Sequence, residues 1–390
     1  MTALDWHPLA NSLAATLEAD GALHEPAWRR AFTAIPRHLF VPCFLEQANG
    51  AERMVNGADP AQRDHWLDRV YSDTNLITQV KASDTDGRGG RRPTSSSSMP
   101  SIMTWMLEAL NLADGQRVLE IGTGTGYNAA LLCHRLGDAN VTSIDIDPAL
   151  VHQARHHLAI LGYTPTLAAG DGAAGLPDTA PYDAILATAA VDHIPSAWIE
   201  QLRTGGIIVA DLRGGFSGAM IRLRKIDDDT VEGRCQNYDA AFMPMRRELS
   251  YPLRQGASSP LVMDRRNPQR GTTSTDPRLV ADSRGLRFLV ELQLAGTHLD
   301  LFVGGDEVVV TAADGSWAAA TLATAADGTH AVAQGGPRRL WDSAEAAVTA
   351  WNHAGTPDID AFGVTANADI DDQRVWLGDP TSAYSWPLPI

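Results

Sequence analysis

The stretch that decides the fold runs from Val118 to Tyr127 and reads VLEIGTGTGY. Its first four residues, three of them apolar, are typical of a short buried strand, and Tyr127 opens a segment with the apolar spacing of a helix. The three glycines between them predict a tight turn in which the backbone passes close to a ligand. The stretch therefore predicts the strand, turn and helix that begin a nucleotide-binding α/β unit.

The residues after this turn repeat the alternation of strand and helix. Helices are predicted at 127–136, 148–161 and 194–202, and strands at 141–144, 166–169, 182–187 and 206–210. Such alternation indicates a parallel sheet with helices on both faces. We therefore expect a doubly wound, mostly parallel α/β domain over residues 1–250, closed by two further strands at 220–225 and 238–243.

Three regions depart from this pattern. Residues 11–49 have helical spacing, and a polar insertion follows at about 49–93. The end of the insertion, 84–93, is rich in glycine, aspartate and arginine and is expected to be a loop. Residues 251–285 are rich in serine, proline, threonine and glycine, as a linker or long loop would be.

A smaller C-terminal α+β domain is expected at 286–390, with substrate recognition as one role open to it. The strands predicted there lie at 287–294, 299–303, 307–311, 317–322 and 330–334. A helix is predicted at 343–353, with Asp342 or Ser343 as its cap. Trp341, Trp351 and Trp376 are expected to form the core of this domain, because aromatic side chains dominate small cores.

The composition excludes several classes of protein. The 390 residues carry 31 Lys and Arg against 47 Asp and Glu, a net charge of −16, which argues against general nucleic-acid binding. No apolar run reaches the ~18–20 residues of a membrane helix, and no secretory signal is visible, so we expect a cytosolic protein. The three cysteines lie far apart in sequence and predict neither a disulfide framework nor a metal site.

The glycine turn carries an acidic residue where a phosphate would be repelled. Glu120 suits a ligand with a cationic end, and S-adenosylmethionine (SAM) has both an amino group and a sulfonium. Asp145 lies 23 residues after Gly122, where a carboxylate can accept both ribose hydroxyls, and Asp171-Gly172 ends the next strand, where it can meet the adenine. The alternative interpretation is a plain glycine turn beside solvated acids.

Blocks along the first 250 residues resemble the protein-L-isoaspartate O-methyltransferase family. The blocks that carry the resemblance are Ile35–Pro42, Val70–Asp73, Val118–Tyr127, Gly170–Gly172, Ala180–Ile185, and Thr188–Ala190 with Ile194-Pro195. The resemblance implies a Rossmann-like class I methyltransferase that uses SAM, releases S-adenosylhomocysteine and methylates a peptide carboxylate. The cofactor-binding residues that it implies are Glu120, Gly122, Thr123, Gly124, Gly126, Tyr127, Asp145, Ile146, Asp171, Gly172 and Thr188.

The catalytic residues implied by the resemblance lie in a run of serines. The family's active-site loop reads Gln-Thr-Ile-Ser-x-Pro, and residues 93–100 align with it. Ser98 then matches the loop serine, Ser97 the isoleucine and Ser96 the threonine. The alternative for four consecutive serines is a flexible linker.

Two arginines and a histidine are candidates for substrate binding. Arg91 and Arg92 precede the serines and either belong to a solvated loop or attract an acidic peptide. His193 follows the fourth strand of the alternation and either lines the pocket or is a plain loop residue. His152 and His156 have the i, i+4 spacing of metal ligands, but without a third ligand nearby they are expected to be surface residues.

The altered serine loop, the insertion and the added domain resemble a longer group of these enzymes that accompanies ATP-grasp ligases in graspetide pathways. The resemblance implies that the housekeeping repair enzyme lacks the added domain. The preferred hypothesis is therefore methylation of an aspartate in a cross-linked precursor peptide, followed by closure to an aspartimide. Alternatives are isoaspartate repair in damaged proteins and a non-catalytic partner of the ligase. The expected partners are the peptide and the ATP-grasp ligase, with no nucleic acid and no membrane.

Overall fold

A computed structural model describes residues 5–48, 51–82, 91–247, 249, 265, 267–294, 299–312 and 314–388 of the chain. Its chain contacts divide it into two compact units. The first comprises Met1–Ala189, Gln201–Val209 and Met245–Tyr251, and the second Ala190–Glu200, Ala210–Pro244 and Pro252–Ile390. The predicted boundary near residue 250 does not coincide with this division, and the predicted domain limits stay a prediction.

The first unit contains seven helices and the strands of two sheets within its described residues. The helices are α1 (His7–Ala19), α2 (Pro26–Ala34), α3 (Arg37–Phe40), α4 (Arg63–Val70), α5 (Pro100–Ala109), α6 (Tyr127–Leu136) and α7 (Pro148–Ile160). The strands are β1 (Cys43–Ala48), β2 (Ala51–Asn56), β3 (Leu76–Ala82), β4 (Arg91–Ser97), β5 (Val118–Ile121), β6 (Val141–Asp145), β7 (Thr166–Ala169), β8 (Tyr182–Val191) and β9 (Leu202–Arg213). The last residues of β8 and β9 are counted with the second unit.

The main sheet of this unit confirms the predicted α/β fold. Its strands lie in the order β9-β8-β5-β6-β7, and β5 runs parallel to both β6 and β8, as β6 does to β7. Every residue of β5 and of β6 is buried, because helices cover both faces of a doubly wound sheet. The glycine turn thus begins at the carboxyl end of the central strand β5, where open α/β sheets bind their ligands.

The N-terminal region differs from the prediction. A second sheet of the first unit has the order β2-β1-β3-β4 and is antiparallel, so the helix expected up to residue 49 ends before β1. Arg91, Arg92 and Pro93 open strand β4 instead of closing a loop, and residues 83–90 lie outside the described residues. The sequence concealed this sheet because its backbone hydrogen bonds come from distant segments and its polar residues show little alternation.

The second unit contains antiparallel strands and four helices within its described residues. The helices are α8 (Ser196–Gln201), whose last residue is counted with the first unit, α9 (Pro277–Asp282), α10 (Arg284–Gln293) and α11 (Leu340–His353). The strands are β10 (Gly218–Lys225), β11 (Thr230–Gln236), β12 (Gln269–Thr273), β13 (Leu299–Gly304), β14 (Glu307–Ala312), β15 (Trp317–Thr324), β16 (His330–Gly335), β17 (Phe362–Asn367), β18 (Gln373–Leu377) and β19 (Ser385–Pro387). They form the orders β19-β18-β17-β11-β10 and β12-β16-β15-β14-β13.

Four details of this unit correct the prediction. The expected strand at 287–294 is helix α10, capped by the Ser283 hydroxyl, which accepts the Leu286 N–H; a short apolar run does not distinguish strand from helix. The second closing strand is β11, not 238–243. Helix α11 begins at Leu340, so Asp342 and Ser343 lie inside it. In the expected linker, β12 and α9 occupy 269–282, while 250–264 and 266 lie outside the described residues.

Several smaller expectations can be compared with the structure. Trp341 and Trp376 are buried as predicted, whereas Trp351 is half-buried. His152 and His156 are exposed on α7 as predicted. Among the described residues, no group of three His, Cys, Asp or Glu side chains is placed to hold a metal ion. Within those same ranges, no helix has the length and apolar character needed to span a bilayer.

Candidate active site

The glycine turn after β5 has a backbone conformation that residues with a Cβ could not adopt without strain or steric clashes. Gly122, Gly124 and Gly126 have φ of +98°, +50° and +87°, a region that L-residues rarely adopt. A Cβ at Gly122 would lie 2.5 Å from Thr188 Oγ1, and one at Gly126 would lie 2.9 Å from the Ala154 Cβ. The Thr188 hydroxyl donates to the carbonyls of Ile121 (3.1 Å) and Gly122 (2.9 Å). Thr188 on β8 therefore stabilises the turn through hydrogen bonds to two of its carbonyl groups.

Asp145 ends strand β6 beside this turn. Its Oδ2 accepts the Gly124 N–H and its Oδ1 accepts the Asp147 N–H, both at 2.9 Å. The side chain is 9% exposed, and burial raises the pKa of its carboxyl despite the two amide donors. Each carboxylate oxygen has a second lone pair, so Asp145 can still accept hydroxyl groups from a ligand.

Glu120 lies deeper than the sequence suggested. It is 0% exposed, its Oε1 accepts from Asn128 Nδ2 (2.7 Å), and its Oε2 accepts from the Ser143 hydroxyl (2.5 Å). Thr123 Oγ1 lies 2.7 Å from the same Ser143 hydroxyl. The carboxyl thus joins β5, β6 and α6 beneath the turn. Its predicted contact with the cationic end of the cofactor stays a prediction, since both oxygens have partners inside the protein.

The burial of Glu120 has a consequence for the pH dependence of stability. Burial raises the pKa of this carboxyl from its ordinary 4.5 to about 7, against the smaller effects of Ser143 and Asn128. Between these two values the folded state binds the proton that the unfolded state has lost, so the free energy of unfolding falls as pH rises.

We expect E120Q to lose this dependence, because glutamine stays neutral and keeps a hydrogen-bonding side chain of the same size. Denaturant unfolding at pH 5 and pH 8 measures it. The fall in unfolding free energy should be about 3 kcal/mol larger for the wild-type chain than for E120Q. Equal pH slopes for the two proteins would show that Glu120 does not titrate in this range.

Asp171 and Gly172 follow strand β7 at the same edge of the sheet. The Gly170 N–H donates to the Asp145 carbonyl at 2.9 Å, which brings the ends of β6 and β7 together. Asp171 is half-buried, and its Oδ1 accepts the Ala173 N–H at 2.9 Å. Gly172 is buried, and a Cβ there would lie 2.6 Å from Ile121. The structure therefore collects the predicted acids of three successive strands at one edge.

Two of the predicted cofactor-binding residues, Tyr127 and Ile146, differ from the others in having mainly apolar side chains. Tyr127 is 5% exposed, and its ring packs against those of Phe32 (6.3 Å between centroids) and Phe40 (5.7 Å). Its side chain is therefore part of the core beneath α6. Ile146 follows Asp145 and is half-buried, with no polar group to offer a ligand.

Ser95, Ser96 and Ser97 lie on strand β4 next to the glycine turn, and Ser98 follows the strand. A Cβ at Gly124 would be 3.6 Å from Ser95 Oγ and 3.7 Å from the Ser96 carbonyl oxygen. Ser97 is buried, whereas Ser96 and Ser98 are half-buried. Within the described ranges, the Ser98 hydroxyl has no hydrogen-bond partner. The structure thus brings the predicted catalytic and cofactor-binding segments together, and the flexible-linker alternative is wrong.

Arg37 holds the serine segment in place, a role that the sequence did not reveal. This side chain is 0% exposed, and its Nη2 donates to the Ser98 carbonyl (3.0 Å) and the Ser97 hydroxyl (3.3 Å). Its other bonds go to the carbonyls of Val70 (2.9 Å), Ser72 (3.1 Å) and Thr74 (3.1 Å). Burial lowers the pKa of the guanidinium to about 10, so it stays charged at neutral pH.

A second missed network links β3 and β4 to the cap of helix α7. The Thr94 hydroxyl donates to Gln79 Oε1 (2.6 Å), whose Nε2 donates to Asp147 Oδ2 (3.2 Å). Lys81 Nζ lies 3.5 Å from the same oxygen, and Arg246 Nη2 donates to the Thr94 carbonyl (3.3 Å). Asp147 caps α7 by accepting the Ala149 N–H. The Asp-Pro pair at 147–148 is a sequence pattern typical of a helix N-terminus and could have predicted this cap.

The structure places the three candidates for substrate binding in different surroundings. Arg91 is exposed and pairs with Glu52 on its own sheet at 3.4 Å, and Arg92 lies opposite Lys81 in the β3–β4 pair. His193 belongs to the second unit, where its Nδ1 lies 2.7 Å from Asp192 Oδ1. Substrate binding by Arg91, Arg92 and His193 stays a prediction.

The residues at this edge fit SAM. The turn around Gly124 presents backbone rather than side chains, Asp145 keeps acceptor capacity for ribose hydroxyls, and half-buried Asp171 can accept from an adenine amino group. These groups would hold the cofactor beside Ser96 on β4 and Ser98, which follows that strand.

Comparisons with known proteins point to the same chemistry. A family model described as protein-L-isoaspartate(D-aspartate) O-methyltransferase (PCMT) matches residues 9–249. A protein-L-isoaspartate O-methyltransferase of Xanthobacter autotrophicus is 34% identical over 217 residues, which cover 55% of this chain and 82% of that protein. One from Azorhizobium caulinodans is 45% identical over 150 residues, covering 38% and 67%.

A solved structure of a protein-L-isoaspartate O-methyltransferase shares the fold over most of the chain. Its TM-score is 0.50 at 22% identity, and the match covers 92% of this chain and 96% of that one. Because that match covers 92% of this chain, the shared fold extends beyond residue 250. Because the family model covers more than half of the residues, the chain belongs to the protein-L-isoaspartate(D-aspartate) O-methyltransferase family of SAM-dependent carboxyl O-methyltransferases.

Proposed function

We propose that this protein methylates the free carboxylate of isoaspartyl residues in proteins and peptides. The observation that carries the proposal is the family match over 9–249 together with the serine strand lying against the glycine turn. This is the second of the functions considered from the sequence. The length beyond residue 250 is compatible with both hypotheses, because a solved structure shares the fold over 92% of this chain and a fold does not determine the substrate.

Methylation of a carboxylate requires that the substrate be positioned, and it does not require a general base. A carboxylic acid with a pKa near ~4 is already ionised at neutral pH and is itself the nucleophile. SAM supplies, when bound, an electrophilic methyl group. The task of the chain is to hold one carboxylate oxygen in line with that group, and such alignment can lower the barrier by several kcal/mol. The methyl ester then reacts with the following backbone nitrogen, which expels methanol and closes a succinimide.

Ser98 is the group best suited to hold the second carboxylate oxygen. Its hydroxyl has no partner within the described residues, while its own carbonyl is fixed by Arg37 at 3.0 Å. A hydroxyl on a fixed backbone can donate to a charged oxygen at little cost in entropy.

We expect S98A to lower kcat about 10- to 100-fold, the loss of one hydrogen bond to a charged group, with the SAM dissociation constant unchanged. Steady-state kinetics and calorimetry separate the two quantities. D145A is the matched comparison and should weaken SAM binding more than turnover. If S98A and wild type turn over equally, Ser98 does not orient the substrate.

A second candidate function is formation of an aspartimide in a cross-linked ribosomal peptide with an ATP-grasp ligase as partner. Two departures from the family's pattern favour it: serines stand at 95–98 in the active-site segment, and Ile146 follows Asp145 where the resemblance implies an arginine. Both candidate functions would be carried out in the cytosol. A different segment beside the cofactor would suit a different peptide.

Mass spectrometry of the purified protein with SAM separates the two candidates. One substrate is a short isoaspartyl peptide, and the other is a precursor peptide cross-linked by a co-expressed ligase. We expect the isoaspartyl peptide to gain 14 Da (one CH2) per site and then to lose methanol. If only the cross-linked peptide does so, the protein is a tailoring enzyme and the main proposal is wrong.

A further inference from the structure

The hairpin of strands β3 and β4 is irregular at one point. Its register shifts on either side of Gln79, because the successive pairs are Ile77 with Ser96, Gln79 with Ser95 and Val80 with Pro93. Thr78 is therefore an extra residue on β3, and Thr94 is an extra residue on β4. Bulges of this kind change the direction of a side chain and are frequent beside active sites. The irregularity here lets the side chains of Gln79 and Thr94 meet.

Both the hydroxyl and the carbonyl of Thr94 are bonded to side chains from other segments. The hydroxyl donates to Gln79 Oε1 at 2.6 Å, and the carbonyl accepts from Arg246 Nη2 at 3.3 Å. Thr94 is 8% exposed, so these bonds form where little water competes for them. They fix the position of β4 two residues before Ser96.

The amide of Gln79 has a single orientation in this network. Its Nε2 donates to Asp147 Oδ2 at 3.2 Å, and Lys81 Nζ lies 3.5 Å from the same oxygen. Burial alone would raise the pKa of the Asp147 carboxyl, but its hydrogen bonds and the nearby Lys81 lower it. Asp147 is therefore ionised at neutral pH and can only accept hydrogen bonds. The amide must turn its NH2 group toward Asp147 and its oxygen toward Thr94.

A continuous chain of hydrogen bonds connects Thr94 with the glycine turn. Beyond Gln79, the Asp147 N–H donates to Asp145 Oδ1 at 2.9 Å. The Gly124 N–H donates to the other oxygen of Asp145, Oδ2, also at 2.9 Å. Gln79 thus joins strand β4 to the carboxylate that is predicted to bind the ribose of SAM.

Strand β4 and the glycine turn touch each other through non-directional contacts. A Cβ at Gly124 would lie 3.6 Å from Ser95 Oγ and 3.7 Å from the Ser96 carbonyl oxygen. Within the described ranges, no hydrogen bond joins the strand to the turn directly. Van der Waals contacts define a position less sharply than hydrogen bonds, which have a preferred distance and angle. Arg37 anchors the residue that follows β4, and Gln79 anchors the middle of the strand.

We propose that Gln79 is a positioning residue for methyl transfer. Through Thr94 and Asp147 it sets the distance between the serines at 95–98 and Asp145, so that a substrate carboxylate at Ser98 faces the methyl group of bound SAM. A displacement of about 1 Å can lower a rate about 100-fold, and Gln79 can therefore affect turnover without touching either ligand. The inference rests on the proposed function only for the choice of the peptide that is methylated.

The first test is Q79L, which keeps much of the side-chain volume and removes both hydrogen bonds of the amide. We expect kcat for the isoaspartyl peptide to fall about tenfold, because β4 loses its fixed position. The SAM dissociation constant should stay within about threefold of wild type, since Asp145 keeps its bonds to two backbone N–H groups. Steady-state kinetics and calorimetry measure the two quantities.

The double variant Q79L/T94V tests whether Gln79 acts through Thr94. T94V keeps the shape of the side chain and removes the hydroxyl that donates to Gln79. If both changes break the same link, the double variant should lose about tenfold in kcat, like Q79L alone. Independent effects would multiply, to about 100-fold if each change alone costs about tenfold.

The matched control is Q62L, at a glutamine that makes the same kinds of bond elsewhere in the first unit. Gln62 Nε2 donates to Asp59 Oδ2 at 2.6 Å, and its Oε1 accepts the Asn56 N–H at 3.1 Å. Q62L should keep the kcat of wild type, and thermal melts should show that all variants are folded. If Q62L loses as much kcat as Q79L, Gln79 contributes only to general stability and the inference is wrong.

Hydrogen–deuterium exchange of residues 91–99 tests the inference without any methyl transfer. SAM should slow the exchange of this segment in wild type and Q62L but not in Q79L, because the link from Asp145 to Thr94 is then broken. Absence of methylation by wild type would overturn the proposed function, and the exchange data would then decide the inference.

Four results would each overturn the positioning role. They are a Q79L kcat within about threefold of wild type, a multiplied loss in the double variant, equal protection by SAM in Q79L and wild type, and a SAM affinity that falls in step with kcat. The last result would place Gln79 in the cofactor site.

Discussion

The G122A variant is expected to lose SAM binding, with a dissociation constant raised at least about 100-fold, or about 2.8 kcal/mol. A backbone with φ of +98° is unfavourable for alanine by about 1–3 kcal/mol. In addition the new Cβ would stand 2.5 Å from Thr188 Oγ1, so that hydroxyl must give up its bonds to the Ile121 and Gly122 carbonyls. The turn then changes shape at the predicted cofactor site. Isothermal calorimetry measures the effect.

Two companions separate the causes. G137A places alanine at φ of +81° with no atom within 4 Å of its Cβ, so it carries the strain alone and far from the turn. It should lower stability by about 1–3 kcal/mol and leave SAM affinity unchanged. G122A combined with T188A removes the clash and should recover part of the affinity. If G122A binds SAM within threefold of wild type, the turn does not contact the cofactor.

The R37M variant is expected to lower kcat at least about 100-fold while SAM affinity stays within about threefold of wild type. Methionine fills much of the same volume but donates no hydrogen bond, so the carbonyls of Val70, Ser72, Thr74 and Ser98 lose their partner. Each buried group left unsatisfied costs about 1–3 kcal/mol, and the serine segment becomes free to move. None of these bonds reaches the glycine turn.

The split between kcat and SAM affinity distinguishes a positioning role from general instability. Circular dichroism at the assay temperature shows whether R37M is folded, and SAM calorimetry shows whether its cofactor site is intact. S97A removes one acceptor but keeps the guanidinium, so it should retain most activity. R37K offers three donors in place of the guanidinium fork and should fall between R37M and wild type. An R37M kcat within tenfold of wild type would remove Arg37 from the mechanism.

The residues beyond 250 favoured a specialised tailoring enzyme, because a repair enzyme appeared to have no use for them. A solved structure shares the fold over 92% of this chain, and a shared fold does not determine the substrate. The feature of this chain that separates the two substrate hypotheses is the active-site segment at 93–100, where the run of serines departs from the family's loop.

The sequence by itself determined the α/β core, the glycine turn and the family. Strands β5 and β7 and helix α6 lie at the predicted residues, because buried runs, helical spacing and turn glycines are local signals. Asp145 and Asp171 could be predicted as site residues because each follows or ends a predicted strand. The same local logic failed at 287–294, where an apolar run that reads as a strand is helix α10 with a serine cap.

Only the tertiary structure decided what surrounds that turn. The bond between Arg37 and Ser97 joins residues 60 positions apart, and no local pattern encodes such a contact. The sheet that carries the serines is held by hydrogen bonds between distant polar segments, so β4 looked like a loop. Strand register likewise sets Arg222 opposite Arg234, although 12 residues separate them in sequence. Pairing between distant segments brings these groups together. The sequence gives the identity of each residue, but it does not show which residues become neighbours in the folded chain.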